Sequence, residues 1–172
     1  LVTIDARGCQ TEIAAKIVDA EADYCLAAKG NQPTLHAGLV AFFDDHLEDD
    51  FARCPVRRFE TKENAHGRED LRSYLICRVP EDLPDAHRWK NLKAIGIAIN
   101  NTVRDGKMCI GIRYYILSRY VSGRRFADAV RSHWGVENNL HWQLDVTFSE
   151  DQSRIRKGHA DTKFSILRRT AL

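Results

Sequence analysis

LVTIDARGCQTEIAAKIVDAEADYCLAAKGNQ, residues 1–32, decides the fold class of this chain of 172 residues. VTI is a β-branched run that ends on Asp5, and Arg7-Gly8 follows as a turn. Ile13, Ile17 and Ala20 then recur at helical spacing through QTEIAAKIVDAEA. DYCLAAKGNQ supplies a second short strand, stopped by Gly30. A strand, a helix and a strand in so short a stretch form the βαβ pattern of a parallel pair, because parallel strands need a crossover of about a dozen residues or more. In such sheets functional side chains gather at the carboxyl ends of strands. Asp5 and Lys29 each stand at such an end.

Downstream, the spacing from Leu35 to Leu47 predicts a helix that leaves through an acidic run, DDHLEDD at 44–50. The texture then changes. VRRFETKENAHGREDLRSYLICRV at 56–79 reads as two strands about a loop centred on Asn64 to Gly67. KAIGIAINNTVRDGKMCIGIRYYILSR at 93–119 gives two more strands about Asp105-Gly106, a strong hairpin signal. Residues 53–118 therefore read as an antiparallel β insertion in an otherwise α/β chain, all of it one domain over 1–172. RRFADAVRSHW resumes helix, and a basic helix is expected from Lys157 to Ala171.

At 44% hydrophobic and 29% charged residues, the chain is a soluble globular one, long enough for a true core. Its net charge of +2 does not by itself demand a nucleic-acid partner. The charge is segregated, however. Residues 104–131 hold Arg104, Lys107, Arg113, Arg119, Arg124, Arg125 and Arg131 against Asp105 and Asp128, and 154–169 hold six basic residues against Asp161. The five cysteines are odd in number and contain no CxxC, which signals neither a zinc knuckle nor a disulfide framework and fits reduced thiols in the cytosol. No signal-peptide pattern and no apolar run near 18 residues is present, so no membrane span is expected.

RSHWGVENNLHWQLD at 131–145 raises a chemical question. At about 100° per residue, Phe126, Val130, Val136, Leu140, Leu144 and Phe148 share one arc of roughly 120°. Glu137 sits near its middle, flanked by His133 and His141. A bare buried carboxylate is too costly, so it must be protonated, paired with a cation such as Arg125, or bound to a metal. Asp5 on a strand end can simply cap the next turn. Taken together, a strand-end carboxylate and one on a helix packed over the sheet can converge on Mg2+, a hard cation that prefers oxygen. Two such ions activate a nucleophile and stabilise the leaving oxygen of a phosphodiester. That chemistry needs a third carboxylate, and the four residues before Asp5 hold none. The rival reading takes His133, Glu137 and His141 as zinc or iron ligands of a hydrolase. Lys29, Arg124, Arg125, Arg131, Arg154 and Arg156 are candidate phosphate contacts, with a solvated basic face as the alternative.

Residues 2–35, then HGREDLR at 66–72, RYYILSR at 113–119 and the whole of 131–172 closely resemble DDE transposases of bacterial insertion sequences, in particular the H-repeat-associated group. HWGVENNLHWQLDVTF at 133–148 is the most specific block. The resemblance implies an RNase H-like catalytic core, incomplete at its N-terminus, in which a β-rich insertion separates the second catalytic Asp from the catalytic Glu. Asp5 matches that Asp and Glu137 that Glu, 137 − 5 = 132 residues apart, which leaves room for the insertion. It further implies Mg2+ as cofactor, as two ions in a complete site with Mn2+ able to substitute. The implied partner is DNA, in a synaptic complex that pairs two protomers within the bacterial cytoplasm, associated with the nucleoid. Two departures follow. The family's first catalytic Asp belongs to an earlier strand, so the expectation is a transposase fragment that is poorly active alone. The Tyr, Arg and Lys that related enzymes place around the Glu are replaced here by Val130, His133 and Leu144. A non-catalytic DNA-binding remnant is the second reading.

Overall fold

The computed structural model describes residues 1–65 and 68–135. The chain divides into two compact units, Leu1–Val130 and Arg131–Leu172. The first unit contains a six-stranded mixed sheet. Its strands are β1 (Val2–Ile4), β2 (Tyr24–Ala28), β3 (Val56–Ala65), β4 (Arg68–Arg78), β5 (Ala94–Arg104) and β6 (Lys107–Leu117), in the spatial order β1-β2-β6-β5-β4-β3. The helices are α1 (Thr11–Asp19), α2 (Pro33–Glu48) and α3 (Gly123–Gly135).

The opening βαβ unit forms as its spacing predicts. β1 and β2 are parallel, in register Val2↔Tyr24 and Ile4↔Leu26, with α1 as the crossover. Pro33 occupies the first turn of α2, where its missing N–H costs nothing. From β3 to β6 every pairing is antiparallel. The β5–β6 turn is built on Asp105 (φ 51°) and Gly106 (φ 72°), the two positive φ values that a tight Asp-Gly hairpin demands. The antiparallel meander is not a separate body, because Cys25 to Ala28 of β2 pair with Leu117 to Tyr114 of β6 and continue the same sheet.

Side chains alternate across the sheet, and the sequence sorts accordingly into two cores. On one face Ala14 of α1 and Leu35, Leu39 and Phe43 of α2 pack over Leu26, Ile95, Ile97 and Ile116. On the other face Phe126, Ala127 and Val130 of α3 pack over Cys25, Ile76, Tyr115 and Leu117. Phe126 and Val130 thus begin the apolar stripe read from the sequence, whereas Val136, Leu140, Leu144 and Phe148 lie outside the described residues. The Lys157–Ala171 helix lies outside them too. Among the described residues, the helices cover only the proximal halves of the long strands. Toward their tips Met108, Ile110 and Ile112 are exposed, and among the described residues no strand pairs with the outer side of 107–113. No helix among the described residues is long and apolar enough to cross a membrane.

Candidate active site

Because β1 and β2 are parallel, their carboxyl ends meet at one edge of the sheet. Asp5 follows Ile4 directly in extended conformation (φ −68°, ψ 178°), so strand alternation continues through it. Ile4 shares a face with Leu26, over which α1 and α2 pack. Asp5 therefore falls on the opposite face, the one that α3 covers. Its carboxylate caps the short 3-10 turn Ala6–Gly8, with Oδ1 accepting from Arg7 N at 3.1 Å and Gly8 N at 3.3 Å. Both bonds fall on one oxygen; among the described residues Oδ2 has no hydrogen-bond partner. The cap reading is thus correct in geometry and leaves half of the carboxylate available.

The loop after β2 closes on the loop after β1. Asn31 donates from Nδ2 to Ala6 O at 2.6 Å and to Cys9 O at 3.3 Å, and Gln32 donates from Nε2 to Cys9 O at 3.0 Å. These amides fix the strand-end loops against each other, with Lys29 exposed beside them. Cys9, though adjacent, is no nucleophile at neutral pH, since burial pushes its thiol up to about 12. Arg124 and Arg125 are exposed on α3, and Arg125 N donates to Ser122 Oγ at 3.2 Å at the start of that helix. Arg131 is also exposed. Glu137, His141, Arg154 and Arg156 lie outside the described residues, and the side chain of His133 is outside them as well. Among the described residues no cluster of three His, Cys, Asp or Glu side chains has metal-binding geometry.

The profile described as "Transposase DDE domain" matches residues 1–172. The chain belongs to the DDE transposase family. Among similar proteins, "Putative transposase YncI" of Escherichia coli O157:H7 is 42% identical over all of this chain and 44% of its own length. "H repeat-associated putative transposase YhhI" of Escherichia coli K12 is 37% identical over all of this chain and 46% of its own length. The chain thus spans less than half the length of these curated relatives. No solved structure matches.

In this DDE transposase domain, sequence reasoning found the strand-end aspartate but missed the amides that position its loop. KGNQ at 29–32 lacks the glycine spacing of a phosphate loop. Its Asn31 and Gln32 brace backbone carbonyls 22 to 25 residues earlier, a pairing with no signal in local periodicity. Ser118 was missed in the same way. Buried between β6 and β2, its hydroxyl accepts from Tyr24 N at 2.9 Å and donates to Asp23 Oδ1 at 2.9 Å, which locks the start of β2 to the end of β6.

Proposed function

We propose that this DDE transposase domain takes part in DNA transposition by Mg2+-dependent cleavage and joining of transposon ends, with Asp5 and Glu137 as metal ligands on an RNase H-like core. In this reading residues 53–118 are the insertion between those two carboxylates. The observation that carries the proposal is Asp5 itself: a half-buried strand-end carboxylate on the α3 face, with Oδ1 held by two backbone N–H groups and Oδ2 unengaged among the described residues. Its chemistry fits the cation, since a carboxylate oxygen is the hard donor that Mg2+ prefers. When bound, the ion supplies Lewis-acid activation of a water or 3′-hydroxyl and charge neutralisation at the phosphodiester.

The chain's own residues do the positioning. The Arg7 and Gly8 N–H groups orient the Asp5 carboxylate before any ligand arrives, so no rotamer has to be frozen on binding. The Asn31 and Gln32 amides hold the neighbouring loop rigid and set Lys29 beside the strand end. Lys29, Arg124, Arg125, Arg131, Arg154 and Arg156 contact phosphates in this reading and align DNA without reading its sequence. Two protomers pair in the synaptic complex, and the working place is the bacterial nucleoid. The hydrolase reading with His133, Glu137 and His141 is not favoured by membership of a transposase family.

Asp5→Asn is the discriminating variant, because the amide oxygen keeps the cap on the turn while the charge is lost. Titration of Mn2+ followed by electron paramagnetic resonance is expected to show binding weakened at least about tenfold in Asp5→Asn and again in Glu137→Gln, a loss of 1.4 kcal/mol or more for each. Circular dichroism is expected to be unchanged. Equal Mn2+ affinity in wild type and both variants overturns the metal assignment.

A further inference from the structure

Across the tips of the two long hairpins, three cations stand in one row. Arg68 of β4 is the direct partner of Arg104 of β5, and Arg104 is the direct partner of Lys107 of β6. Directly opposite residues lie on the same face of a sheet, with Cβ atoms about 5 Å apart, where like charges repel and natural pairs are of opposite sign. A row of three positive side chains on three adjacent strands is therefore a local conflict that asks for a compensating anion.

Among the described residues, the nearby acids supply it only in part. Asp70, two residues further along β4, is buried and divides its charge between two guanidiniums: Oδ1 accepts from Arg68 Nε at 2.9 Å and from the Thr102 hydroxyl at 2.6 Å, and Oδ2 accepts from Arg72 at 2.9 Å. That arrangement engages the Nε–H of the Arg68 guanidinium, and its terminal nitrogens have no hydrogen-bond partner among the described residues. Among the described residues Arg104 has only the adjacent turn residue Asp105, at 3.7 Å, with both side chains largely in solvent. Lys107 has no ion pair among the described residues. The three cations, with Thr102, Asp105 and Cys109, line an open cleft of about 470 Å³.

The face is also the relevant one. Along β6, Lys107, Cys109, Gly111, Arg113 and Tyr115 alternate onto one side, and Tyr115 belongs to the core that α3 covers. The row therefore lies on the face of the sheet that carries Asp5. Continuing the β1–β2 register by one residue brings Asp5 level with Ala27, the partner of Tyr115. The eight steps from Tyr115 to Lys107 span roughly 27 Å along the strand, close to the rise of about eight base pairs at 3.4 Å each.

We propose that Arg68, Arg104 and Lys107 form a binding site for the backbone phosphates of duplex DNA, which holds the duplex about eight base pairs from the Asp5 end of the same sheet face. The inference rests on the transposition reading and adds a surface to it. Asp70, with Thr102, acts as a positioning residue that aims Arg68 at the phosphate. Contacts from these guanidinium and ammonium groups to backbone phosphates carry no sequence information, so the site is sequence-independent and contributes through counterion release.

The test is fluorescence anisotropy of a labelled random-sequence duplex of about 30 base pairs, titrated with the chain at several salt concentrations. Arg104→Ala/Lys107→Ala removes two exposed tip charges. It is expected to weaken binding about tenfold or more and to reduce the slope of log K against log[salt] by about two. Lys62→Ala, one exposed charge on the opposite face, is expected to leave both quantities near wild type. If the double variant keeps the wild-type slope and affinity, or if Lys62→Ala lowers them equally, the tip site is refuted while DNA binding stands. If the wild-type chain binds no duplex even at low salt, the transposition reading itself fails.

Discussion

Phe126 shows how one side chain secures the α3 face. It is fully buried, edge-on to Tyr115 at a 5.4 Å centroid separation and to Tyr74 at 6.2 Å. Room for its ring exists only because β5 places Gly96 beneath it: a Cβ there would lie 2.5 Å from Cζ of the ring and within 3.0 Å of both Cε atoms. The ring is walled in and cannot yield as a surface side chain could. Gly96→Ala is accordingly expected to destabilise the protein by about 1–3 kcal/mol in urea unfolding. Adding Phe126→Leu, which frees space over residue 96, is expected to cost less than the sum of the two single changes, with a coupling of about 0.5 kcal/mol or more. Strict additivity would show that the two side chains do not share this space. Asp70 illustrates the electrostatic counterpart. Burial works to raise its carboxyl, but the Thr102 hydroxyl and the Arg68 and Arg72 guanidiniums outweigh that and hold it below the ordinary carboxylate range.

At the scale of elements, the turn of the β5–β6 hairpin sets the register that puts Arg104 opposite Lys107, while the β4–β5 pairing adds Arg68 to the row. Asp105 and Gly106 both take positive φ, at 51° and 72°. Glycine does so without strain, whereas a residue with a Cβ pays about 1–2 kcal/mol. Gly106→Ala is expected to lower stability by that amount in thermal melts and to quicken amide exchange in 99–112 relative to 114–117, which pair with β2 on the far side as well. Unchanged exchange at the tip would mean that register is pinned elsewhere along the pair. The elements also explain why the texture change near residue 53 was visible in the sequence. Alternation of period two replaces helical spacing there, and that switch is local. How the new strands join the older ones is not a local property. The pairing of Cys25–Ala28 with Tyr114–Leu117 bridges about ninety residues and rests on Ser118 between Asp23 and Tyr24.

At the scale of the whole molecule, the sheet is the common floor of two cores, and all five cysteines lie in its unit. Cys9, Cys25 and Cys77 are buried, Cys54 is partly covered, and Cys109 is exposed on the β6 tip. Burial raises the thiols of Cys9, to about 12, and of Cys25 and Cys77 further. Iodoacetamide at neutral pH followed by mass spectrometry is thus expected to modify Cys109 first and to leave Cys9, Cys25 and Cys77 unmodified until denaturant is added. Early labelling of Cys25 or Cys77 would show that one core opens independently of the other.

The sequence by itself determined the elements. The β-branched run before Asp5, the helical spacing of Ile13 and Ile17, the alternation of the four long strands and the Asp105-Gly106 turn each act over a few residues, where propensity and periodicity decide. It also brought Glu137 forward as a carboxylate on an apolar stripe, because the cost of burying charge can be read from a pattern, and Asp5 as a strand-end residue. Only the tertiary structure decided which faces those elements share. It put Asp5 on the α3 face, tied the β2 loop to the β1 loop through Asn31 and Gln32, and lined up Arg68, Arg104 and Lys107 from three strands. Register and face depend on which distant strands meet, and that follows from the burial of both cores at once, a property of the whole chain that no window of it contains.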